Sequence, residues 1–143
     1  MAKAKKAAEI SARKNMAARS TAKNDARSGA KLDDFQKFRA DLNEEILGCG
    51  HLGIKRFFAL DHQAYEPGAL PTKTKELLGL VASMVLRCDD CITYHVVRCG
   101  EEGCTRPEVI DAMNVALVVG GSIVIPHLRR AFARMREVPA LKP

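Results

Sequence analysis

Residues 71–103 decide the fold, and they read PTKTKELLGLVASMVLRCDDCITYHVVRCGEEG. In the first half, apolar residues recur at spacings of three and four, the pattern of one helical face: Leu77, Leu80, Val81, Met84 and Val85. The pair Pro71-Thr72 is typical of a helix start, because the first turn needs no N–H from proline. Asp is favoured in a first turn, so Cys88-Asp89-Asp90 predicts a new start and a second helix to about Glu102.

The flanking sequence predicts four more helices. An upstream helix would present one apolar face, made of Leu32, Phe35, Phe38, Leu42 and Ile46. A short helix from about Ile54 to Tyr65 is expected to turn three apolar side chains inward, those of Phe57, Phe58 and Leu60.

Two helices are predicted downstream. Thr105 and Glu108 are spaced as a capping box, and the helix that follows should end at the glycine pair 120–121. The last helix takes Pro126 in its first turn and runs to about Glu137. No strand-like alternation of useful length occurs, so the sequence predicts an all-α, single-domain bundle of about six helices.

The composition fits one helical domain with a basic extension. The chain has 143 residues, of which 47% are hydrophobic and only 5% aromatic, which favours an aliphatic helical core over a sheet sandwich. The net charge of +6 originates at the N-terminus, where residues 1–31 hold nine Lys and Arg against two acids. We therefore divide the chain into a helix-prone, Ala/Lys/Arg-rich extension over residues 1–30 and a helical domain over residues 31–143.

These properties argue against several classes of function. No aromatic residue interleaves the basic residues of the extension, which disfavours nucleic-acid binding. The longest apolar run, residues 115–125, is about half of a membrane span and is broken by two glycines, so no membrane role is expected. Five cysteines without an apolar signal sequence favour the cytoplasm, although an acid-poor N-terminus is also typical of an organelle transit peptide.

The densest cluster of reactive side chains follows the turn at residue 88. On one helix, Cys88, Cys91 and His95 line a single face over two turns, and Glu76 on the preceding helix points to the same region if the two helices are antiparallel. Three interpretations are open: a redox dithiol, a zinc site, or two buried cysteines without a role. Structural zinc usually takes two separated ligand pairs that close a loop, so the redox dithiol is favoured.

This pattern resembles the AhpD-like alkylhydroperoxidase branch of the carboxymuconolactone decarboxylase family. Glu76 is followed by Cys88, Cys91 and His95 at the spacing of that branch, and the surrounding helical sequence is similar over about residues 35–132. The resemblance implies an all-helical fold, assembly as a homotrimer or homohexamer, and a thiol-dependent peroxidase. Cys91 would be the peroxidatic thiol and Cys88 the resolving thiol, while His95 and Glu76 relay protons.

The resemblance also implies the partners and the alternatives. The substrate would be a peroxide, no cofactor is expected, and an external dithiol protein of the lipoyl or thioredoxin type would return the electrons. A non-peroxidase thiol–disulfide oxidoreductase or a binding protein on the same scaffold remains an alternative. A lactone decarboxylase is disfavoured because such members lack the cysteine pair. The sequence departs from the pattern of this branch at Asp90, where close members often carry His. The negative charge of Asp90 disfavours a neighbouring thiolate.

The other candidates are expected to be structural. Cys49, Cys99 and Cys104 are interpreted as small buried residues, and His127 as a histidine packed locally at a helix start. His51 and His62 have no evident partner, and Tyr94 is expected at an interface or a pocket wall. The C-terminal arginines are expected to form a solvated face that complements the helix dipole: Arg129, Arg130, Arg134 and Arg136.

Overall fold

A computed structural model describes residues 32–143, which fold into six α-helices with no strand among them. The helices are α1 (32–48), α2 (Leu52–Tyr65), α3 (Thr72–Leu86), α4 (Asp89–Glu101), α5 (Arg106–Gly120) and α6 (Ile125–Met135). Two short 3₁₀ turns complete the chain, Ser122–Val124 and Pro139–Leu141. The predicted all-α class is confirmed, whereas the helix-prone extension over residues 1–30 lies outside the described residues.

The core is built around α3, which packs against both α4 and α5, while α6 packs against α4. Fully buried aliphatic and Met side chains fill the space between these four helices: Leu80, Met84, Ile92, Val96, Val109, Met113 and Met135. The scarcity of aromatic residues is thus matched by a core of flexible and branched aliphatic chains, which close-pack between helices.

The turn between α3 and α4 is short and tightly defined. Arg87 ends α3 in the left-handed conformation at φ 61°, a backbone state that residues other than glycine rarely adopt. Cys88 is the N-cap of α4, and Asp89 and Asp90 follow in its first turn, where carboxylates favour the positive end of the helix dipole. The predicted restart of the helix is therefore confirmed.

The predicted capping box of α5 is also present. The Thr105 side chain accepts the N–H of Glu108, and the Glu108 carboxylate accepts the N–H of Thr105. Lys73 of α3 lies 2.9 Å from the same carboxylate. The hydrogen bond from Lys73 and those from Thr105 lower the pKa of Glu108 to about 2, so this helix start is charged at all ordinary pH values.

The prediction that α2 turns Phe57, Phe58 and Leu60 inward is wrong for Phe57 and Leu60, whereas Phe58 is half-buried. No residue of α2 is buried, and the side chains of Phe57 and Leu60 are 68% and 63% exposed. The reason is that α2 makes few contacts with α3, so a helix with apolar residues on several sides leaves most of them uncovered within one chain. On α1, Phe38 is likewise 62% exposed.

In the part of the chain that the structure describes, no helix combines the length and the apolar character needed to cross a membrane.

Candidate active site

The two sulfurs of the Cys-x-x-Cys sequence meet at the first turn of α4. The backbone N–H of Cys91 donates to Cys88 Sγ over 3.4 Å, so the Cys88 thiol serves as the cap of its own helix. The Cys88 thiol is close enough to Cys91 to help raise the pKa of Cys91, and both cysteines are free. Cys91 is exposed and Cys88 is half-buried. This arrangement allows a local disulfide to form with little movement of the helix.

The environment of Cys91 disfavours its thiolate. Although Cys91 as a residue is exposed, partial desolvation of its sulfur raises the pKa of Cys91 to about 11, and the contact with Cys88 and the negative charge of Asp90 act in the same direction. The like-charge effect that the sequence predicted for Asp90 is therefore present. A backbone hydrogen bond acts in the opposite direction but does not offset it. Cys91 at neutral pH is a thiol that requires a base when it reacts.

A buried imidazole–carboxylate pair joins α4 to α3. His95 Nδ1 lies 2.7 Å from Glu76 Oε2, and these side chains are 6% and 1% exposed. Because a carboxylate only accepts hydrogen bonds, Nδ1 carries the hydrogen of this bond, and in that tautomer Nε2 is the acceptor atom of the ring. Arg98 Nε, 3.3 Å from Glu76 Oε1, compensates the charge of the buried carboxylate. The predicted approach of Glu76 to His95 is confirmed.

The sequence reasoning missed Tyr65, whose hydroxyl lies 3.4 Å from His95 Nε2. Tyr65 is the last residue of α2, thirty positions before His95, so no local spacing connects the two. Burial raises the pKa of Tyr65, and the charge of Glu76 raises it further, so the hydroxyl keeps its proton. Gly79 of α3 is the signal that could have revealed this contact, because a Cβ there would lie 2.5 Å from the His95 ring and 2.6 Å from the Tyr65 hydroxyl.

A cavity of about 350 Å³ connects Cys91 to this pair. Its floor contains Cys91, Tyr65 and His95, and Tyr94 stands beside them, as predicted for a pocket-wall residue. The opposite wall is the apolar face of α1: Phe35, Phe38, Leu42 and Ile46. The guanidinium of Arg39 stacks 4.0 Å from the centre of the Tyr94 ring at the rim. The cavity therefore offers an apolar wall opposite a thiol and a proton acceptor.

The structure corrects two predictions about α6. His127 is not packed locally, because its Nδ1 lies 2.7 Å from Asp89 Oδ1 on α4. Arg134 is half-buried and not part of a solvated face, whereas Arg130 is 58% exposed as predicted, although its Nη1 lies 2.7 Å from Asp89 Oδ2. Both contacts span about forty residues of sequence and follow from the packing of α6 on α4, which local periodicity cannot reveal.

The remaining cysteines and histidines differ in their positions. Cys99 and Cys104 are buried, as predicted, and burial raises the pKa of both thiols. Cys49 was expected to be buried, but it is exposed because it lies just beyond the end of the peripheral helix α1. His51 has a partner after all, since its side chain accepts the N–H of Ile54 and caps α2. No group of three or more His, Cys, Asp and Glu side chains within residues 32–143 is arranged to hold a metal ion.

Comparison with solved structures finds the same helical arrangement in proteins of one family. A carboxymuconolactone decarboxylase family protein from Thermotoga maritima is 59% identical, with a TM-score of 0.70 over 73% of this chain and 88% of that one. A family member from Legionella pneumophila shares the fold at 23% identity, with a TM-score of 0.66 over 79% of this chain and 98% of that one.

Sequence comparison agrees with this result. An uncharacterized protein of the cox locus of Paracoccus denitrificans is 30% identical over 82 residues, covering 57% of this chain and 74% of that protein. An uncharacterized protein of Cupriavidus necator is 26% identical over 103 residues, covering 70% of this chain and 91% of that protein. Residues 54–134 match the model of the carboxymuconolactone decarboxylase family, and this range includes Cys88, Cys91, Glu76 and His95. The chain belongs to the carboxymuconolactone decarboxylase family.

Proposed function

We propose that this protein is a thiol-dependent peroxidase of the AhpD-like branch, in which the Cys88–Cys91 dithiol reduces a peroxide. The observation that carries the proposal is the buried hydrogen bond of 2.7 Å between His95 and Glu76, next to a cavity that also contains Cys91. A thiol pair alone would suit many roles, whereas a thiol pair beside a buried imidazole–carboxylate pair suits proton-coupled chemistry at sulfur.

The first step is attack of Cys91 on the peroxide. Because the pKa of Cys91 is raised, this sulfur is mostly protonated at pH 7. His95 Nε2 therefore accepts the thiol proton as the sulfur attacks the terminal oxygen. The O–O bond breaks, its electron pair leaves with the alkoxide, and the proton passes from His95 to that oxygen. The products are an alcohol and a Cys91 sulfenic acid.

The second step closes the disulfide. The Cys88 sulfur attacks the sulfenic sulfur of Cys91, a bond forms between the two sulfurs, and the hydroxyl leaves as water. The short distance around the first turn of α4 supports this step. An external dithiol of the lipoyl or thioredoxin type then reduces the disulfide by exchange, so the cycle needs no bound cofactor.

The cavity supports an organic peroxide as the substrate. Its volume of about 350 Å³ is within the usual range for small-molecule sites, and the α1 wall is apolar. An involvement in the antioxidative response has been suggested for the Thermotoga maritima protein, and this suggestion agrees with peroxide reduction. We also place the protein in the cytoplasm, where reduced thiols persist.

The decisive experiment compares two cysteine variants of the reduced protein. Cys91→Ser should lose peroxide consumption by a factor of about 10³ or more, since the attacking sulfur is gone. Cys88→Ser should still consume one equivalent of cumene hydroperoxide and then stop with a sulfenic acid, which dimedone labels for mass spectrometry. Stopped-flow kinetics with free thiols counted before and after gives both results.

Cys49→Ser is the matched control, because Cys49 is an exposed thiol outside the cavity. It should turn over like the unmodified protein. Peroxide consumption that survives in Cys91→Ser would contradict the assignment. A second contradicting outcome is that the unmodified protein consumes no peroxide while its dithiol still reduces protein disulfides. That result would replace the peroxidase assignment with the alternative of a thiol–disulfide oxidoreductase. Deletion of residues 1–28 tests a binding protein, since only a binder that acts through the basic extension loses its function.

A further inference from the structure

The carboxylate next to the dithiol is held by two cationic or proton-donating side chains of another helix. Asp89 follows Cys88 directly in the first turn of α4. Its Oδ1 is 2.7 Å from His127 Nδ1 and its Oδ2 is 2.7 Å from Arg130 Nη1, so α6 engages both oxygens. His127 is mostly buried, at 15% side-chain exposure. We call the side chains of Asp89, His127 and Arg130 the Asp89 clamp.

The two acids of the CDDC sequence consequently have different surroundings. Asp90 is exposed, makes no ion pair within residues 32–143, and raises the pKa of Cys91 through its charge. The charge of Asp89 would act on the same sulfurs if it were free, because it is equally close along the chain. Apart from these two acids and the clamp, the exposed Arg87 ends α3 next to Cys88. None of the variants below changes the other charged or titratable groups that line the cavity with Cys91, which are Arg39, Asp61, Tyr65, Tyr94 and His95.

We propose that His127 and Arg130 tune the Cys88–Cys91 dithiol by compensating the negative charge of Asp89. An acid at this position has two effects, on the start of α4 and on the neighbouring thiolate, and the clamp compensates only the second. Asp89 remains a first-turn carboxylate that stabilises the start of α4, while its repulsion of a thiolate is compensated from α6. His127 and Arg130 are positioning residues in this role, since they act through Asp89. The importance of this tuning for catalysis rests on the proposed peroxidase function, but the tuning itself concerns thiol ionisation alone.

The experiment measures how the alkylation rate of each cysteine by iodoacetamide depends on pH in the reduced full chain. Trypsin cleaves after Arg87 and Arg98 and releases both cysteines in one peptide, and tandem mass spectrometry assigns the label to Cys88 or Cys91. Arg130→Gln leaves Asp89 without its cation, so the rate midpoint should rise by about half to one pH unit, the size of a charge interaction at partly solvated distances. His127→Asn keeps a donor at the same position and should give a smaller rise.

The opposite change comes from Asp89→Asn, which leaves Arg130 and His127 without an anion. The midpoint should then fall, and the double variant Asp89→Asn/Arg130→Gln should return close to that of the unmodified protein. Arg129→Gln is the matched control, because Arg129 is an exposed arginine on α6 with no ion pair in the described chain, and it should leave the midpoint unchanged.

The signs of these shifts decide between charge compensation and a mere structural contact. A structural contact would make Arg130→Gln and Asp89→Asn act in the same direction, and that result would overturn the proposal. Equal midpoints for Arg130→Gln and Arg129→Gln would overturn it as well. Circular dichroism confirms that each variant is folded. If Arg130→Gln does not fold, the signs of the midpoint shifts are compared between His127→Asn and Asp89→Asn. The alkylation experiment contains no peroxide. Absence of peroxidase activity in the unmodified protein would therefore contradict the proposed function and not the tuning of the dithiol by the Asp89 clamp.

Discussion

At the scale of single residues, Gly79 controls how closely α3 approaches the imidazole of His95. A Cβ at this position would lie 2.5 Å from His95 Cε1 and 2.6 Å from the Tyr65 hydroxyl. We expect Gly79→Ala to displace the ring and to lower peroxidase kcat/KM by about 10²-fold, since a shift near 1 Å at reacting groups has that effect. Overpacking should also lower stability by about 1–3 kcal/mol. Steady-state kinetics and thermal unfolding measure the two effects.

Gly48→Ala is the control for this prediction. Gly48 ends α1, and a Cβ there would meet nothing within 4 Å. It should leave activity unchanged. If both substitutions lower activity equally, the close approach at Gly79 is not what positions His95.

The spacing of single residues predicted one part of the candidate site and missed another. Glu76, Cys88, Cys91 and His95 lie on or at the start of two successive helices joined by a short turn, so helical periodicity together with antiparallel packing of these helices predicts that they face each other. Tyr65 and the Asp89 clamp depend on where α2 and α6 pack, which is a tertiary result. Distances along the chain of thirty residues or more carry no periodic signal, so these contacts required the structure.

At the scale of helices, the start of α5 depends on the capping box of Thr105 and Glu108. Thr105→Ala removes the hydroxyl that accepts the N–H of Glu108 and one donor to its carboxylate. We expect the free energy of unfolding to fall by about 1 kcal/mol, within the usual 0.5–2 kcal/mol for an N-cap. Urea denaturation followed by circular dichroism measures this change.

The comparison is Asn114→Ala, an exposed position on the outer side of the same helix. It should change stability by less than about 0.5 kcal/mol. A loss at Asn114 as large as that at Thr105 would mean that the capping box has no special role.

The same capping signals explain why the helices were predictable. Thr105 with Glu108, Pro71 with Thr72, and Pro126 all act through local backbone groups, so the sequence indicates where each helix begins. Burial was less predictable, because it depends on what lies opposite a helix. The apolar residues of α2 predicted an inward face, yet in the part of the chain that the structure describes most of them stay exposed.

At the scale of the whole molecule, large apolar residues remain exposed on α3, α5 and the turn after α5. They are Leu78, Leu86, Val115, Val118, Val119 and Ile123. Soluble chains rarely leave so many uncovered unless another surface packs on them, which supports the proposal that copies of this chain assemble as a homotrimer or homohexamer.

We expect the protein to run well above the 15.7 kDa of one chain in light scattering coupled to gel filtration. Val118→Lys introduces a charge at a residue that is 77% exposed in one chain, and it should shift the mass towards that of the monomer if the residue is covered in the assembly. Asp111→Lys, an exposed change on the same helix, should leave the mass as it is. A monomeric unmodified protein would contradict the proposal.

The helix opposite the thiols lies outside the stretch that the family model matches. The family match begins at residue 54, whereas the apolar wall of the cavity is formed by four side chains between residues 35 and 46. The thiols and the apolar wall of the cavity are therefore supplied by different helices. Under the proposed function, substitutions in α1 should change which molecules the cavity admits and leave the dithiol and the His95–Glu76 pair in place.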